Sequence, residues 1–140
     1  MIQRLQPGPA LPPWVTALDE ATFGEAWGPL ARHEGLWVLD AAAFARWSLV
    51  PVVHEGELLR IAVDPAKRGQ GLGRTLLKGM QAELRASGIT TLHLEVRAGN
   101  AAARALYAAC GWREVGHRAR YYGDGENAVL YTWTGEAQGA

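Results

Sequence analysis

Apolar and polar positions alternate most cleanly at 91–97. Leu92, Leu94 and Val96 fall on one side there, and Thr91, His93, Glu95 and Arg97 on the other, the period of a strand with one buried face. The segment before it follows a helical period. Leu72, Leu76, Leu77, Met80 and Leu84 form one stripe, which Ser87-Gly88 ends. After the strand, Asn100 is a natural N-cap for a helix over "AAARALYAAC", and Gly111 stops it. Upstream, "PGPALPP" (7–13) reads as a loop, and Trp14, Leu18 and Ala21 predict a helix over 14–27 closed by Gly28-Pro29. "LWVLD" (36–40), "AFARWSLVPVV" (43–53) and "ELLRIAV" (57–63) predict strands, with Pro51 marking an edge or a bulge. "WREVGHRARYY" (112–122) and "NAVLYTW" (127–133) predict a closing strand pair across "GDGE", and 135–140 a frayed tail. The order is helix, three strands, helix, strand, helix, two strands. It implies an α+β fold with a mixed sheet, without the repeating βαβ array of a doubly wound fold.

Composition narrows the class without choosing a function. The chain has 140 residues, 49% hydrophobic and 20% charged, which suits one soluble domain with its own core. Its formal net charge is zero, so charge balance asks for neither nucleic acid nor an anionic membrane as partner. The single cysteine, Cys110, allows no intrachain disulfide, and no apolar run approaches the ~20 residues of a membrane span. With no signal-peptide pattern at the N-terminus, the expected compartment is the cytoplasm. His33, His54, His93 and His117 are scattered without ligand spacing, so no metal is expected.

The stretch "KRGQGLGRT" (67–75) carries the first chemical signal. Glycines before a helix allow positive φ and close backbone approach, and the helix N-terminus offers free N–H groups to an anion. Lys67, Arg68 and Arg74 surround it with charge. Gly69-Gln70-Gly71-Leu72-Gly73 has the wrong spacing for the dinucleotide fingerprint, and Arg74-Thr75 stands where a P-loop needs Lys-Ser/Thr. Read alone, the stretch is either an anion turn or an ordinary loop.

Arg68-Gly69-Gln70-Gly71-Leu72-Gly73 resembles the Arg/Gln-x-x-Gly-x-Gly/Ala signature of the GNAT acyltransferases, and "IAVDP" before it resembles their fourth strand. "LEVRAGNAAARALYAACGW" (94–112) and "RARYYGDGENAVLYTW" (118–133) are similar to the type that acetylates the N-terminal alanine of ribosomal proteins. The resemblance covers about 57–133. It implies a GNAT acyl-CoA N-acyltransferase fold, a twisted sheet whose fourth and fifth strands splay around acetyl-CoA. Residues 57–134 would then form the cofactor and catalytic half, and 1–56 the acceptor half.

By the same resemblance, Ile61, Ala62 and Val63 would lie along the pantetheine arm. The pyrophosphate would sit on Gly69, Gln70, Gly71, Leu72, Gly73 and Arg74, with Arg68 alongside. Asn100 matches a cofactor-contacting asparagine, a role compatible with capping. Glu95 and Tyr107 match the general base and general acid of amine attack on the thioester, with acetyl-CoA as donor and no metal. Without that match, Glu95 is a solvated strand residue and Tyr107 a packing residue. An α-amine, with a pKa of roughly 7.7–8.0 against about 10.4 for lysine, suits a carboxylate base better.

The implied acceptor is a protein N-terminal amine, an alanine of a ribosomal protein. A small-molecule amine or antibiotic, and a non-catalytic acyl-CoA-binding domain, are the alternatives. The acceptor half shows no legible motif. Asp19, Glu20, Glu25 and Glu34 read either as attractors of a cationic acceptor or as solvated positions, and Trp14, Trp27, Trp37 and Trp47 as core or cleft candidates. Tyr121 and Tyr122 read as peptide-site or cross-strand residues, and Asn127 departs from an acidic residue frequent in that family type.

Overall fold

The computed structural model describes residues 1–5, 7–8 and 10–135. A seven-stranded sheet forms the centre, in the order β1-β2-β3-β4-β5-β7-β6. Its strands are β1 (Ile2–Leu5), β2 (Glu34–Leu39), β3 (Ala43–Val50), β4 (Glu55–Val63), β5 (Thr91–Arg97), β6 (Arg113–Arg118) and β7 (Ala128–Thr134). The helices are α1 (Pro13–Phe23), α2 (Leu72–Ala86) and α3 (Ala101–Ala109). Every neighbouring pair is antiparallel except β4 with β5.

Strand alternation divides the interior in two. On one face, Trp37, Trp47, Leu58, Leu92, Leu94, Val96 and Tyr131 pack against the α2 stripe Leu76, Leu77, Met80 and Leu84 and against Tyr107 and Cys110. On the other, Leu36, Val38, Phe44 and Ala62 pack against Val15 and Leu18 of α1. We call these the α2 face and the α1 face. α1 covers only the β2–β4 side, so Glu57, His93, Glu95, Leu130 and Thr132 stand on an α1 face without a helix over it.

Several sequence expectations are corrected. β1 was not foreseen: its four residues carry Ile2 and Leu5 on opposite faces, too short a segment to show a period. The first helix stops at Phe23, because Gly24 takes φ 84° and ends it. The strand expected over 43–53 ends at Val50; Pro51 starts a 3-10 turn to Val53, and His54 reverses the chain at φ 60°. The strand expected over 112–122 is the shorter β6, which leaves Tyr121 and Tyr122 outside the ladder. Of the expected frayed tail, residues 136–140 lie outside the described residues, whereas Gly135 donates its N–H to the Thr90 carbonyl at 2.8 Å.

β4 and β5 pair over a short stretch: Glu55 with Thr91, Gly56 with Leu92, Glu57 with His93. His93 links this junction to its neighbours, with Nε2 2.6 Å from Glu55 Oε1 and Nδ1 3.0 Å from Thr132 Oγ1. Gly56 lets the strands close: a Cβ there would stand 2.9 Å from Leu49 Cδ2 and 3.2 Å from Leu92 Cδ2. Gly56→Ala therefore overpacks the junction and is expected to destabilise the fold by about 1–3 kcal/mol, read as a lowered Tm in thermal unfolding.

Candidate active site

Beyond Glu57 and His93 the two strands part. Residues 58–63 of β4 keep their antiparallel partners on β3 but have none on β5. Apart from the Val63 carbonyl, which accepts from Arg68 Nε, no strand takes up the backbone groups of that edge, and they can pair with an extended amide-bearing chain. This is the splay that the family resemblance implies, and Ile61, Ala62 and Val63 lie along it. A bulge at Leu59 shapes the edge: Leu58 opposes Trp47 and Arg60 opposes Arg46, so Glu57 and Arg60 both face the α1 side although they are three residues apart.

The glycine turn lies at the wide end of this wedge. Asp64 Oδ1 accepts from the Ala66 N–H at 3.0 Å, and Arg68 Nε donates back to the Val63 carbonyl at 3.2 Å. Gly69 and Gly71 adopt φ +81° and +75°, and a Cβ on either would meet nothing within 4 Å. α2 then starts at Leu72 with no side-chain cap, so its first N–H groups face outward unclaimed. Gly73 sits in that first turn, against Val63 and Leu106. Arg68, Gly69, Gln70, Gly71 and Arg74 are exposed around it. An uncapped helix start, open space over positive-φ glycines and an unpaired strand edge together fit the pyrophosphate and pantetheine of acetyl-CoA. Asn100, after β5, caps α3 by accepting from the Ala103 N–H at 3.1 Å and remains exposed.

Glu95 and Tyr107 belong to opposite faces of the sheet. Glu95 projects from β5 on the open α1 face, with Arg118 Nη2 3.7 Å from its Oε1. Tyr107 projects from α3 on the α2 face, 6% exposed, with Trp112 and Tyr131 at ring distances of 6.0 and 5.9 Å. Burial, followed by its tyrosine neighbours Tyr122 and Tyr131, raises Tyr107 well above its ordinary 10.0.

The connection 119–127 stands beside Glu95. Arg97 fixes it by pairing with Asp124 at 2.8 Å and Glu126 at 3.0 Å, and Asn127 Oδ1 accepts from the Arg120 N–H at 2.9 Å. Tyr121 and Tyr122 meet edge to face at 5.1 Å, as sequence neighbours rather than a cross-strand pair. The Glu95 carboxylate beside Tyr121 raises that hydroxyl above its ordinary value. Tyr122 is raised too, by burial and then by Glu95.

Sequence reasoning missed three residues. Glu57 shares the open face with Glu95, and desolvation, then the charge of Glu95, raises its carboxyl above 4.5. Arg46 and Arg60 are the other two. Arg46, 2% exposed, donates to the carbonyls of Gly28 (2.7 Å) and Pro29 (2.8 Å) and to Glu34 Oε1 (2.7 Å). Arg60 donates to Asp19 Oδ1 at 2.7 Å and to the Glu25 carbonyl at 2.9 Å. Asp19 Oδ2 accepts from the Trp27 N–H at 2.8 Å, and Glu34 Oε1 accepts from the Ala31 N–H at 2.7 Å. Burial works to raise the Glu34 carboxyl, but its bonds to Arg46 and Ala31 outweigh that and hold it below 4.5.

Asp19 and Glu34 are thus buried and paired, neither solvated nor free to attract an acceptor. A lone arginine inside each of "FARWSLV" and "LLRIAV" was the available signal. Of the candidate cleft tryptophans, Trp37 and Trp47 are core residues of the α2 face, and Trp14 packs against the α1 cluster. Trp27 is 43% exposed.

A mixed sheet that opens between two parallel strands beside an uncapped, glycine-preceded helix start is the architecture of an acyl-CoA-dependent transferase. Residues 2–112 match the acetyltransferase (GNAT) family, and the chain belongs to it. It is 41% identical over 111 residues to the [ribosomal protein bS18]-alanine N-acetyltransferase of Escherichia coli K12, an alignment covering 79% of this chain and 71% of that one. The crystal structure of the Escherichia coli ribosomal-protein-S18-alanine N-acetyltransferase superposes with a TM-score of 0.78 at 32% identity, covering 99% of this chain and 97% of that one. The mycothiol acetyltransferase of Beutenbergia cavernae is 40% identical over 91 residues, or 61% of this chain and 31% of that protein. No helix among the described residues is long and apolar enough to cross a membrane.

Two measurements check this geometry. Gly71→Ala puts a side chain at φ +75°, a strain of about 1–2 kcal/mol, and is expected to weaken acetyl-CoA binding about tenfold in calorimetry with little change in acceptor KM. In Glu95→Gln, Glu57 loses the like charge that helps raise it. Its carboxyl, followed by carbon-13 NMR, is then expected to titrate at lower pH than in the wild type.

Proposed function

We propose that this acetyltransferase moves the acetyl group of acetyl-CoA to the N-terminal α-amine of a protein, an alanine of ribosomal protein bS18. The end of the β4–β5 ladder after Glu57 and His93, with Glu95 on one face of the sheet and Tyr107 on the other, supports the mechanistic reading. The identity and coverage of the Escherichia coli relatives support the acceptor.

Acetyl-CoA supplies an activated thioester. Ile61, Ala62 and Val63 would hold its arm, and residues 69–74, with Arg68 and Asn100, its phosphate end. The arm would then run along the α2 face and present the acyl carbon in the wedge. The amine approaches from the open α1 face, where Glu57 and Glu95 favour its ammonium form on arrival. Glu95, directly or through a water, accepts the proton that the ammonium loses before attack, and the nitrogen sheds a second proton from the tetrahedral adduct as the amide forms. Tyr107 lies on the side from which the thiolate leaves. Its hydroxyl, protonated at neutral pH, donates to sulfur as the carbon–sulfur bond breaks, and the second proton shed by the nitrogen as the adduct collapses restores it. A second reading, a small-molecule amine as acceptor, has the mycothiol acetyltransferase relative in its favour.

Free-thiol release and product mass separate these readings when the protein is incubated with acetyl-CoA and either a bS18 N-terminal peptide or small amines. The peptide alone is expected to turn over, and turnover of small amines alone supports the second reading. Tyr107→Phe and Glu95→Gln are each expected to lower kcat by about 10²-fold or more while acetyl-CoA binding persists. Wild-type kcat in either variant rejects the assigned role.

A further inference from the structure

Two arginines on adjacent strands are committed to one loop, and this arrangement assigns it a task. Arg46 and Arg60 are register partners on β3 and β4, both on the α1 face. Between them they bind the carbonyls of Glu25, Gly28 and Pro29, while Asp19 holds the Trp27 N–H. Three carbonyls of the loop between α1 and β2 are thereby tied to the sheet, and one N–H to α1, by charge-assisted bonds. The same guanidinium groups lie against the Trp27 ring, Arg46 at 5.0 Å and Arg60 at 4.8 Å from its centroid, and Arg60 also lies 4.6 Å from the Phe23 centroid.

Burying an arginine and two carboxylates is costly unless each is paired, so a loop with no task does not call for such an anchor. The anchor fixes Trp27, 43% exposed, against Arg60, which shares the α1 face of β4 with Glu57. A large, half-exposed aromatic held rigidly on one face of a sheet is suited to recognition. Its ring already meets two guanidinium groups, each paired with a carboxylate, so the site offers an incoming cation no free π face and no net negative charge. Flat or apolar groups gain by packing against it.

We propose that Trp27 selects the acceptor by packing against an uncharged side chain within the first few residues after the reacting amine. Arg46, Arg60 and Asp19 act as positioning residues that hold it there. The inference rests on the protein-N-terminus reading above.

The experiment uses the full chain and alanine-initiated peptides scanned in turn with Tyr and Lys at the second, third and fourth positions. At one of these positions the wild type is expected to favour Tyr over Lys by about tenfold in kcat/KM. Trp27→Ala is expected to abolish that preference and raise acceptor KM about tenfold, leaving kcat and acetyl-CoA KM within about twofold. Arg46→Gln is expected to raise acceptor KM and to speed amide exchange at residues 24–31, with Arg46→Lys restoring part of both. Trp27→Ala, at an exposed position, keeps the test open if Arg46→Gln fails to fold. If the wild type acetylates no peptide, the acceptor reading has failed. If it acetylates peptides but Trp27→Ala leaves acceptor KM and preference unchanged, the role of Trp27 is overturned. If Trp27→Ala behaves as expected but Arg46→Gln folds and leaves KM and loop exchange at wild-type values, the positioning role is overturned.

Discussion

The short parallel ladder between β4 and β5 is the constraint on which the rest of the molecule depends. Three register pairs, from Glu55–Thr91 to Glu57–His93, hold the halves of the sheet together. Had the pairing continued, the edge at residues 58–63 would be consumed by β5 and nothing could cross the sheet. Had it not formed at all, Glu95 and the cofactor edge would have no fixed relation. Gly56 permits the close approach at this junction, and His93 ties it to Glu55 and Thr132. Divergence then follows from the twist of the strands and the bulge at Leu59. Hydrogen bonds left unmade along β4 are therefore a functional resource rather than a defect.

The two faces of the sheet solve different problems. The α2 face is apolar and densely packed. A tyrosine buried among Trp112 and Tyr131 is held in one orientation and loses contact with solvent. The α1 face instead keeps charge. Part of that charge, Asp19 and Glu34 with their arginines, is internal and fixes a loop. The rest, Glu57 and Glu95, is left facing the groove. Telling these carboxylates apart needs the partners, because each is a single acidic residue in an otherwise unremarkable stretch.

That distinction marks what was legible in the chain. Elements with a long period could be read directly: the α2 stripe, the alternation of β5 and the Asn100-capped α3 all fall within a few residues of their expected limits. The glycine turn was legible because positive φ leaves a chemical trace, and Gly69 and Gly71 do adopt it. β1 left no trace, since four residues cannot display a period. The roles of Arg46 and Arg60 were hidden for another reason. A buried charge is indistinguishable from a solvated one until the register brings its partners together, and these partners lie 12 to 41 residues away. Glu57 was obscured likewise: its significance comes from standing beside His93 and Glu95 on a strand that follows it by an entire helix.

The separation of Glu95 and Tyr107 by the sheet also bears on pH. Attack needs a neutral amine, which an α-amino group supplies in increasing fraction above roughly pH 7.7–8.0. Departure of the thiolate needs a protonated donor. A tyrosine of ordinary pKa would begin to lose that proton near 10, but burial raises Tyr107 further. Under the proposed roles a neutral amine and a protonated phenol therefore coexist above the amine's own range, while the burial that keeps the phenol protonated also makes it a weaker acid. If the acid stood on the groove side, beside Glu57, Glu95 and water, it would share its environment with the incoming ammonium and exchange protons with it. Under the roles proposed above, the group that takes the amine's proton and the group that gives one to sulfur stand on opposite faces of the sheet, with Tyr122 neighbouring both.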